Sequence, residues 1–429
     1  MRETIKASFV LVFALVAIVL SCARDKTPLG PAEGPAVCPQ QEIPWPSLAN
    51  SPWPVMWGDM QCTARGKYPG PRVGRVVWSF SEHGLYAEEV NVAVGEDGTL
   101  YLAAPIVGTQ EGGSRPYLFV LGPDGSLRAK TPFGRPGHSN SSAALLAGGR
   151  VLVVEQAGVE AEIYQFGGEG NLLSSSSCPH ANYAAAPAIS RDTLVFFYCW
   201  DGVFSAVEPT GRVLWSRRID GHSRPLDAGA LALSPDGTVL YALREVGAGL
   251  QLTALDARNG AVLWQAPCDL YFRSPLVDND GNVYCTARSE RAPDLIVVRS
   301  YTQQGQLRWE SRAPTGLTPN LCMSAQGSIF AYGRGDSLLC IDCQGSLRWA
   351  APMLGRPELG AEGGVRLVVD SEGVVYACYS WKYLLAFDAA GNRLFTCELP
   401  GIPDGLTGVA ISAPGRLIVV GEYAVYCVE

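Results

Sequence analysis

The sequence lacks the groups on which many enzymes and nucleic-acid-binding proteins depend. It contains only four histidines in 429 residues, and 41 Asp and Glu outnumber 33 Lys and Arg, which gives a net charge of −8. This balance argues against a nucleic-acid partner, because phosphate backbones require a basic face. No haem C-x-x-C-H, G-x-S-x-G or H-E-x-x-H motif occurs. An enzymatic function therefore has no support from any of these motifs.

Long apolar runs are also missing, except at the N-terminus. Arg2 and Lys6 precede an apolar stretch from Ala7 to Leu20, which predicts an export signal and is too short for a transmembrane helix of about 20 residues. Its end, Val19-Leu20-Ser21-Cys22, resembles a bacterial lipobox. The resemblance implies cleavage before Cys22, lipidation of that residue and a membrane partner through the lipid. The protein is then exported and anchored to the cell envelope, on the outer membrane facing the periplasm or the cell surface. An ordinary signal peptide is the alternative.

Two short patterns recur along the rest of the chain and predict its fold. One is a turn followed by a β-rich run, repeated eight times from EDGTLYL at Glu96 to APGRLIVV at Ala413. The other is a glycine-led strand, also found eight times: GRVVW (74–78), GSLRA (125–129), GNLLS (170–174), GRVLW (211–215), GAVLW (260–264), GQLRW (305–309), GSLRW (345–349) and GNRLF (391–395). Each unit has the pattern of four short strands joined by tight turns. Eight units predict an all-β, eight-bladed β-propeller of four-stranded antiparallel blades.

The chain ends predict how this ring closes. The last residues, 422–429, form a third strand with no glycine-led strand after it, whereas 74–78 precedes any complete unit. We therefore expect the N-terminal strand 74–80 to close the last blade, since closure removes exposed sheet edges. The predicted domains are the lipoprotein signal peptide over 1–21, a Pro/Gly-rich tether over 22–51 that starts at the lipidated Cys22, and the propeller over 52–429.

The repeats and the segment before them resemble the bacterial pyrroloquinoline-quinone-like (PQQ-like) propeller repeat lipoproteins. The opening run carries the matching residues Trp53, Pro54, Gly58, Asp59, Thr63 and Gly66. The resemblance covers 52–429 and implies the fold, but the family name records a repeat shape and not a bound cofactor. True quinoprotein dehydrogenases carry a vicinal Cys-Cys disulfide, and no adjacent cysteines occur in this sequence. We expect no cofactor; PQQ or a metal ion is the alternative.

Tryptophans occupy the last position of five glycine-led strands. A single ligand has no need for equivalent rings on separate blades, whereas a large aromatic side chain suits the gap between neighbouring sheets. We therefore expect structural packing between blades from Trp78, Trp215, Trp264, Trp309 and Trp349.

The sequence has 13 cysteines, so an even number follows Cys22 and disulfides are expected in an exported chain. The predicted pairs are Cys38–Cys62, Cys178–Cys199 and Cys268–Cys285, and Cys378–Cys397 is a further candidate. Cys340 and Cys427 are expected to be small buried residues. Cys340 and Cys343 form a C-x-x-C, but a redox role needs a helix N-terminus and a zinc ribbon needs a second pair. Cys322 has no assigned partner.

The connections between an outer strand and the next inner strand carry all four histidines. Propeller topology places these connections on one face, which makes that face the candidate metal or ligand site; the alternative is four solvated residues. The histidines are His83, His138, His180 and His222. Aromatic residues expected in loops are candidate partner contacts: Tyr183, Tyr271, Phe272, Trp381 and Tyr383.

These observations favour a non-enzymatic cell-envelope lipoprotein whose propeller is a protein-binding or ligand-binding scaffold. Its expected partners are other envelope proteins. Two alternatives stay open: a PQQ-dependent dehydrogenase, which rests on fold analogy alone, and binding of a glycan or cell-wall polymer by the aromatic residues.

Overall fold

The computed structural model describes residues 36–429 except 88–89, 110–112, 137–141, 158–159, 180–185, 199–201, 220–229, 247–248, 269–273, 317–319, 356–364, 380–381 and 401–405. The described residues form 32 strands. No helix in this part of the chain is long and apolar enough to span a bilayer. Residues 37–429 belong to one compact unit.

The strands are grouped in antiparallel sets of four, and we number these blades along the chain. Blade 1 contains β2 (Val92–Val94), β3 (Leu100–Thr109), β4 (Gly113–Leu121) and β5 (Leu127–Pro132), and blade 2 contains β6 (Ala143–Leu146), β7 (Arg150–Ala157), β8 (Glu160–Phe166) and β9 (Leu172–Pro179). Blade 3 contains β10 (Ala188–Ile189), β11 (Val195–Tyr198), β12 (Val203–Val207) and β13 (Val213–Arg218), and blade 4 contains β14 (Ala232–Leu233), β15 (Val239–Val246), β16 (Gly249–Asp256) and β17 (Val262–Cys268).

The second half repeats this arrangement. Blade 5 contains β18 (Leu276–Val277), β19 (Val283–Arg288), β20 (Ile296–Tyr301) and β21 (Leu307–Thr315). Blade 6 contains β22 (Cys322–Met323), β23 (Ile329–Gly333), β24 (Ser337–Ile341) and β25 (Leu347–Pro352). Blade 7 contains β26 (Arg366–Val369), β27 (Val375–Tyr379), β28 (Tyr383–Phe387) and β29 (Arg393–Glu398). A single pair, Thr315 with Gly333, links blades 5 and 6 into one hydrogen-bonded sheet. Blade 8 contains β30 (Leu406–Ala413), β31 (Arg416–Gly421), β32 (Val425–Val428) and β1 (Val76–Phe80).

The pairing of the two chain ends closes the ring. Strand β1 lies antiparallel to β32, with Trp78 opposite Cys427 and Phe80 opposite Val425. The backbones of Arg75 and Glu429 exchange two further hydrogen bonds, of 2.6 and 2.8 Å. The predicted eight-bladed propeller, with its N-terminal strand completing the last blade, is therefore confirmed.

The five tryptophans of the outer strands lie between blades. Each indole N–H donates to a carbonyl in the turn that precedes the next blade's outer strand: Trp78 to Pro123 (3.1 Å), Trp215 to Ala257 (3.0 Å), Trp264 to Gln303 (2.8 Å), Trp309 to Cys343 (3.0 Å) and Trp349 to Ala389 (3.0 Å). The ring covers the glycine of that turn, where a Cβ would lie 2.6 to 2.9 Å from ring atoms. The repeated glycine and the repeated tryptophan are thus two halves of one contact between successive blades.

Three junctions use other residues in place of tryptophan. At the junction of blades 1 and 2, the Tyr101 hydroxyl donates to Gly168 O at 3.0 Å. At the junction of blades 2 and 3, the acceptor is Pro209 O, which receives Gln165 Nε2 at 3.1 Å and Ser176 Oγ at 3.3 Å. At the junction of blades 7 and 8, the Phe395 ring of β29 lies against Gly74, which precedes β1.

Candidate functional site

A segment that precedes the first strand covers one end of the propeller. We call residues 38–69 the cover segment. Its backbone binds the inner strands of six blades through the pairs Val94 N to Trp53 O, Leu145 N to Pro54 O, Leu233 N to Met60 O, Val277 N to Gln61 O, Met323 N to Thr63 O and Val369 N to Ala64 O, all at 2.7 to 2.9 Å. In blade 3, Ile189 N lies 3.1 Å from Met60 Sδ. In blade 8, Gly415 N donates to Pro69 O at 2.8 Å. One continuous segment therefore contacts every blade.

The central part of the cover segment is deeply buried and tightly coiled. The exposed fraction is 0% for Trp53, 2% for Trp57 and 3% for Cys62. Left-handed φ angles occur at three residues other than glycine: Trp57 (61°), Cys62 (53°) and Ala64 (50°). This conformation costs about 1–2 kcal/mol at a residue with a Cβ. The segment keeps it because successive carbonyls must reach different blades.

Three residues of the opening run that resembles the PQQ-like repeat proteins, Asp59, Thr63 and Gly66, hold this coil in place. Asp59 Oδ1 accepts the backbone N–H groups of Gln61 (3.1 Å) and Thr63 (2.9 Å), and Asp59 Oδ2 accepts the Thr63 hydroxyl. Burial raises the pKa of the Asp59 carboxyl, and these hydrogen bonds and the Arg65 charge oppose the rise. Gly66 is required for close approach, since a Cβ there would lie 2.5 Å from Ile411 Cδ1. These matched residues thus position the cover segment.

Two anchors fix the ends of the cover segment to the propeller. At the first end, Cys38 forms a disulfide with Cys343, with their Cα atoms 6.2 Å apart. Three residues beyond the other end, the Arg72 guanidinium contacts Asp370 Oδ2 at 2.8 Å and Glu372 Oε2 at 2.6 Å. Residues 37–51, predicted to belong to a tether, therefore pack on the propeller, and the predicted tether is too long.

The disulfide predictions need correction. Cys38 bonds to Cys343 instead of Cys62, because the cover segment crosses the ring and its two cysteines end beside different blades. Cys285 keeps a free, buried thiol, so the predicted bond between Cys268 and Cys285 is not formed; the two residues belong to neighbouring blades.

Strand positions also decide the candidate pair Cys378–Cys397. Cys378 and Cys397 are both free thiols, because β28 lies between their strands and neighbouring strands are about 4.8 Å apart. The pair Cys178–Cys199 cannot be followed, since Cys199 and the side chain of Cys178 lie outside the described residues.

Five buried cysteines among the described residues have no thiolate character at neutral pH. Burial raises the pKa of Cys62 and Cys378 to about 12, and that of Cys340 and Cys427 to about 11. Cys322, also buried, has a pKa well above its ordinary value. In the C-x-x-C motif, Cys343 is used by the disulfide. The motif therefore supplies no reactive pair.

The cover segment folds back on itself and encloses a groove of about 710 Å³. Apolar walls come from Trp45, Leu48 and Met60, and Arg65 and Lys67 add positive charge. Lys67 is already paired with Glu42 at 2.6 Å. Burial lowers the pKa of Arg65, against the charges of Asp59 and Glu42. Sequence reasoning missed this groove, although its signal was the run of Pro and Trp over 44–57.

Of the site residues predicted for the loop face, the structure describes two, His83 and Tyr383. His83 is exposed in the connection after β1, and Tyr383 is half-buried at the start of β28, with the Lys382 ammonium 5.1 Å from its ring centre. The described residues contain no group of three or more His, Cys, Asp or Glu placed to hold a metal. The other predicted site residues lie outside the described residues: Cys22, His138, His180, His222, Tyr183, Tyr271, Phe272 and Trp381.

Comparisons with known proteins agree with this architecture. Among solved structures, BamB from Moraxella catarrhalis is 14% identical, with a TM-score of 0.56 over 83% of this chain and 100% of that chain. The C-terminal WD40 domain of Sif2 is 8% identical, with a TM-score of 0.58 over 83% of this chain and 98% of that chain. At these identities the likeness shows the fold alone. No curated protein matches the sequence significantly.

A family model reaches further than these structural likenesses. The model described as outer membrane protein assembly factor BamB matches residues 201–429, more than half of the chain and all of blades 4 to 7. Together with the repeats and the closed ring, this match shows that the chain belongs to the family of PQQ-like repeat propellers described as outer membrane protein assembly factor BamB.

Proposed function

We propose that this protein is a non-enzymatic scaffold of the cell envelope that binds other proteins. The observation that carries the proposal is the cover segment, which contacts all eight blades and is anchored by Cys38 and Arg72. A surface held in one geometry loses little entropy when a partner docks, so rigidity favours binding. The described part of the chain thus has the properties of a preformed platform.

The family description names the class of partner. We propose that the bound proteins belong to the machinery that assembles outer membrane proteins. A lipid on Cys22 would hold the propeller at the outer membrane, facing the periplasm. The loop face, to which the described residues His83 and Tyr383 belong, is the proposed docking surface for this machinery.

Affinity purification of the protein from cross-linked envelopes tests the proposal. Mass spectrometry should identify outer membrane assembly proteins, and Cys22→Ala should move the protein to the soluble envelope fraction. Metal analysis and an absorbance spectrum of the same sample test the alternative, a quinone-dependent dehydrogenase. Quinone absorbance with dye reduction, in the absence of captured proteins, would replace the scaffold with a dehydrogenase.

A further inference from the structure

A groove of about 610 Å³ lies at the rim between blades 5 and 6. Blade 5 contributes three arginines to its lining, Arg291, Arg308 and Arg312. Blade 6 contributes Gln344, Ser346 and Leu347. We call this the arginine groove. Three cations on one wall are unexpected on a chain whose net charge is −8.

The acidic residue in the groove is already neutralised. Glu310 Oε2 receives Arg299 Nε at 3.0 Å and Arg299 NH2 at 2.9 Å, and Glu310 Oε1 receives the Ser289 hydroxyl at 2.6 Å. Burial tends to raise the pKa of Glu310, but these bonds and the Arg299 charge hold it below its ordinary value. The pair is nearly inaccessible, with side-chain exposures of 4% and 7%. Glu310 therefore does not offset the three groove arginines.

The three groove arginines have no ion pair with any described residue. Arg308 NH1 donates to Ser300 Oγ at 2.9 Å and to Tyr284 OH at 3.2 Å, and Tyr284 OH donates to Asp278. These bonds position the Arg308 guanidinium and leave most of its five N–H donors available. Arg291 and Arg312 are exposed. Their charges are free to meet an external anion.

Apolar surface lies beside these charges. Trp309 lines the groove and is fixed by its indole bond to Cys343 O. Leu347, which also lines the groove, keeps 46% of its surface exposed. Arginine and tryptophan are enriched in binding hot spots. Planar guanidinium groups also match carboxylates in a two-pronged geometry.

We propose that the arginine groove binds an acidic segment of a partner protein, in which carboxylates meet the arginines and aliphatic side chains meet Leu347 and Trp309. The inference rests on the proposed scaffold function and locates one contact of that scaffold. Charge complementarity selects the acidic side chains, and the apolar surface of Leu347 and Trp309 favours a peptide over a bare phosphate.

Fluorescence anisotropy of a labelled peptide of alternating glutamate and leucine tests the groove. The full chain should bind this peptide, with affinity falling as salt rises. The change of Arg291, Arg308 and Arg312 to Ser should weaken binding by about tenfold or more. The matched control changes Arg135, Arg217 and Arg258 to Ser, three exposed arginines outside the groove, which removes the same charge elsewhere and should leave binding unchanged. Equal losses in the two variants would overturn the proposal.

A second variant avoids the Arg308 hydrogen bonds, so that folding does not obscure the result. Arg291→Glu with Arg312→Glu should lose the glutamate peptide and gain affinity for a lysine and leucine peptide. Vesicles containing phosphatidylglycerol and inorganic phosphate serve as competitors. Groove-dependent binding of vesicles or phosphate, without binding of the peptide, would overturn the protein-segment proposal.

The envelope cross-linking experiment separates the two proposals. If the full chain captures assembly proteins and the arginine variants capture them equally, the scaffold stands and the groove assignment fails. If the full chain captures no protein, the scaffold itself fails.

Discussion

The junctions around blade 2 differ from the five junctions sealed by tryptophan. Where tryptophan is present, one side chain both caps the turn carbonyl and covers the turn glycine. Around blade 2, the corresponding slots hold Ala129 and Ser174, and the carbonyls are bound by Tyr101 and Gln165. The hydrogen bond is therefore preserved, but the large aromatic surface is not.

The cover segment supplies the missing packing at blades 2 and 3. We call residues 45–49 the bracing arm. Trp45 Nε1 donates to Ile189 O at 2.8 Å, Ser47 Oγ donates to Ser190 O at 2.5 Å, and Ala49 N donates to Leu145 O at 2.9 Å. Trp45 and Leu48 also join the buried cluster of Phe196 and its neighbours. A cavity of about 550 Å³ remains beside Pro46 and Pro209. At blades 2 and 3, the bracing arm therefore supplies the packing that a tryptophan of the outer strand supplies at the other junctions.

The largest expected effect is at a tryptophan junction. Trp264→Ala should lower the free energy of unfolding by about 3 kcal/mol, because the ring packs between Tyr241 and Tyr301 and caps Gln303 O. Gln165→Ala, at the junction of blades 2 and 3, should cost only about 1–2 kcal/mol, because it removes the hydrogen bond to Pro209 O and the one that Arg150 donates, but no aromatic ring. Chemical denaturation measures both. Equal losses would show that the two kinds of junction are not different.

The glycine partner gives the next largest effect. Gly305→Ala should lower the free energy of unfolding by about 2–3 kcal/mol, since its Cβ would lie 2.6 Å from Trp264 Cγ at a φ of +84°. Gly335→Ala is the matched control, because φ is +81° there and no atom lies within 4 Å. It should cost about 1 kcal/mol. Thermal unfolding curves compare the two, and equal shifts would contradict the steric contact.

The buried central part of the cover segment should also respond to alkaline pH. The pKa of Cys62 is about 12 in the folded chain against an ordinary 9.0, so the unfolded thiol ionises first. Stability attributable to Cys62 is present below pH 9 and falls by about 1.4 kcal/mol per unit as pH rises from 9 towards 12. Cys62→Ala should flatten this dependence in denaturation experiments run across that range. An unchanged slope would place the thiol in contact with solvent.

The smallest expected effect tests the left-handed backbone of the cover segment. Ala64→Gly removes a buried methyl group, which costs about 0.8 kcal/mol of stability. It also removes the strain of a left-handed φ of 50°, which is of similar size. Its stability should therefore stay within about 0.5 kcal/mol of the original. Ala331→Gly, in β23 and equally buried, has no such relief and should lose about 1.5 kcal/mol. A comparable loss at both alanines would mean that residue 64 is unstrained.

The fold was predictable because its signals are local and repeated. The glycine-led strands fixed the blade count, and the unmatched last strand at 422–429 indicated the closure by 74–80. Non-repeating contacts were not predictable. Cys38 pairs with Cys343 across 305 residues, and the bracing arm contacts blades that no sequence pattern links to it. The arginine groove combines residues of β21 with a turn of the next blade, so linear spacing gave no sign of it.

Hydrogen exchange of the Cys38→Ser protein tests the central claim most directly, because it breaks the disulfide at the start of the cover segment and leaves every junction residue unchanged. If the bracing arm replaces tryptophan, exchange should accelerate in β6, β7, β10 and β11 and stay unchanged in β15 to β17, which are sealed by Trp215 and Trp264. Uniform acceleration across all blades, or none around blades 2 and 3, would contradict the account.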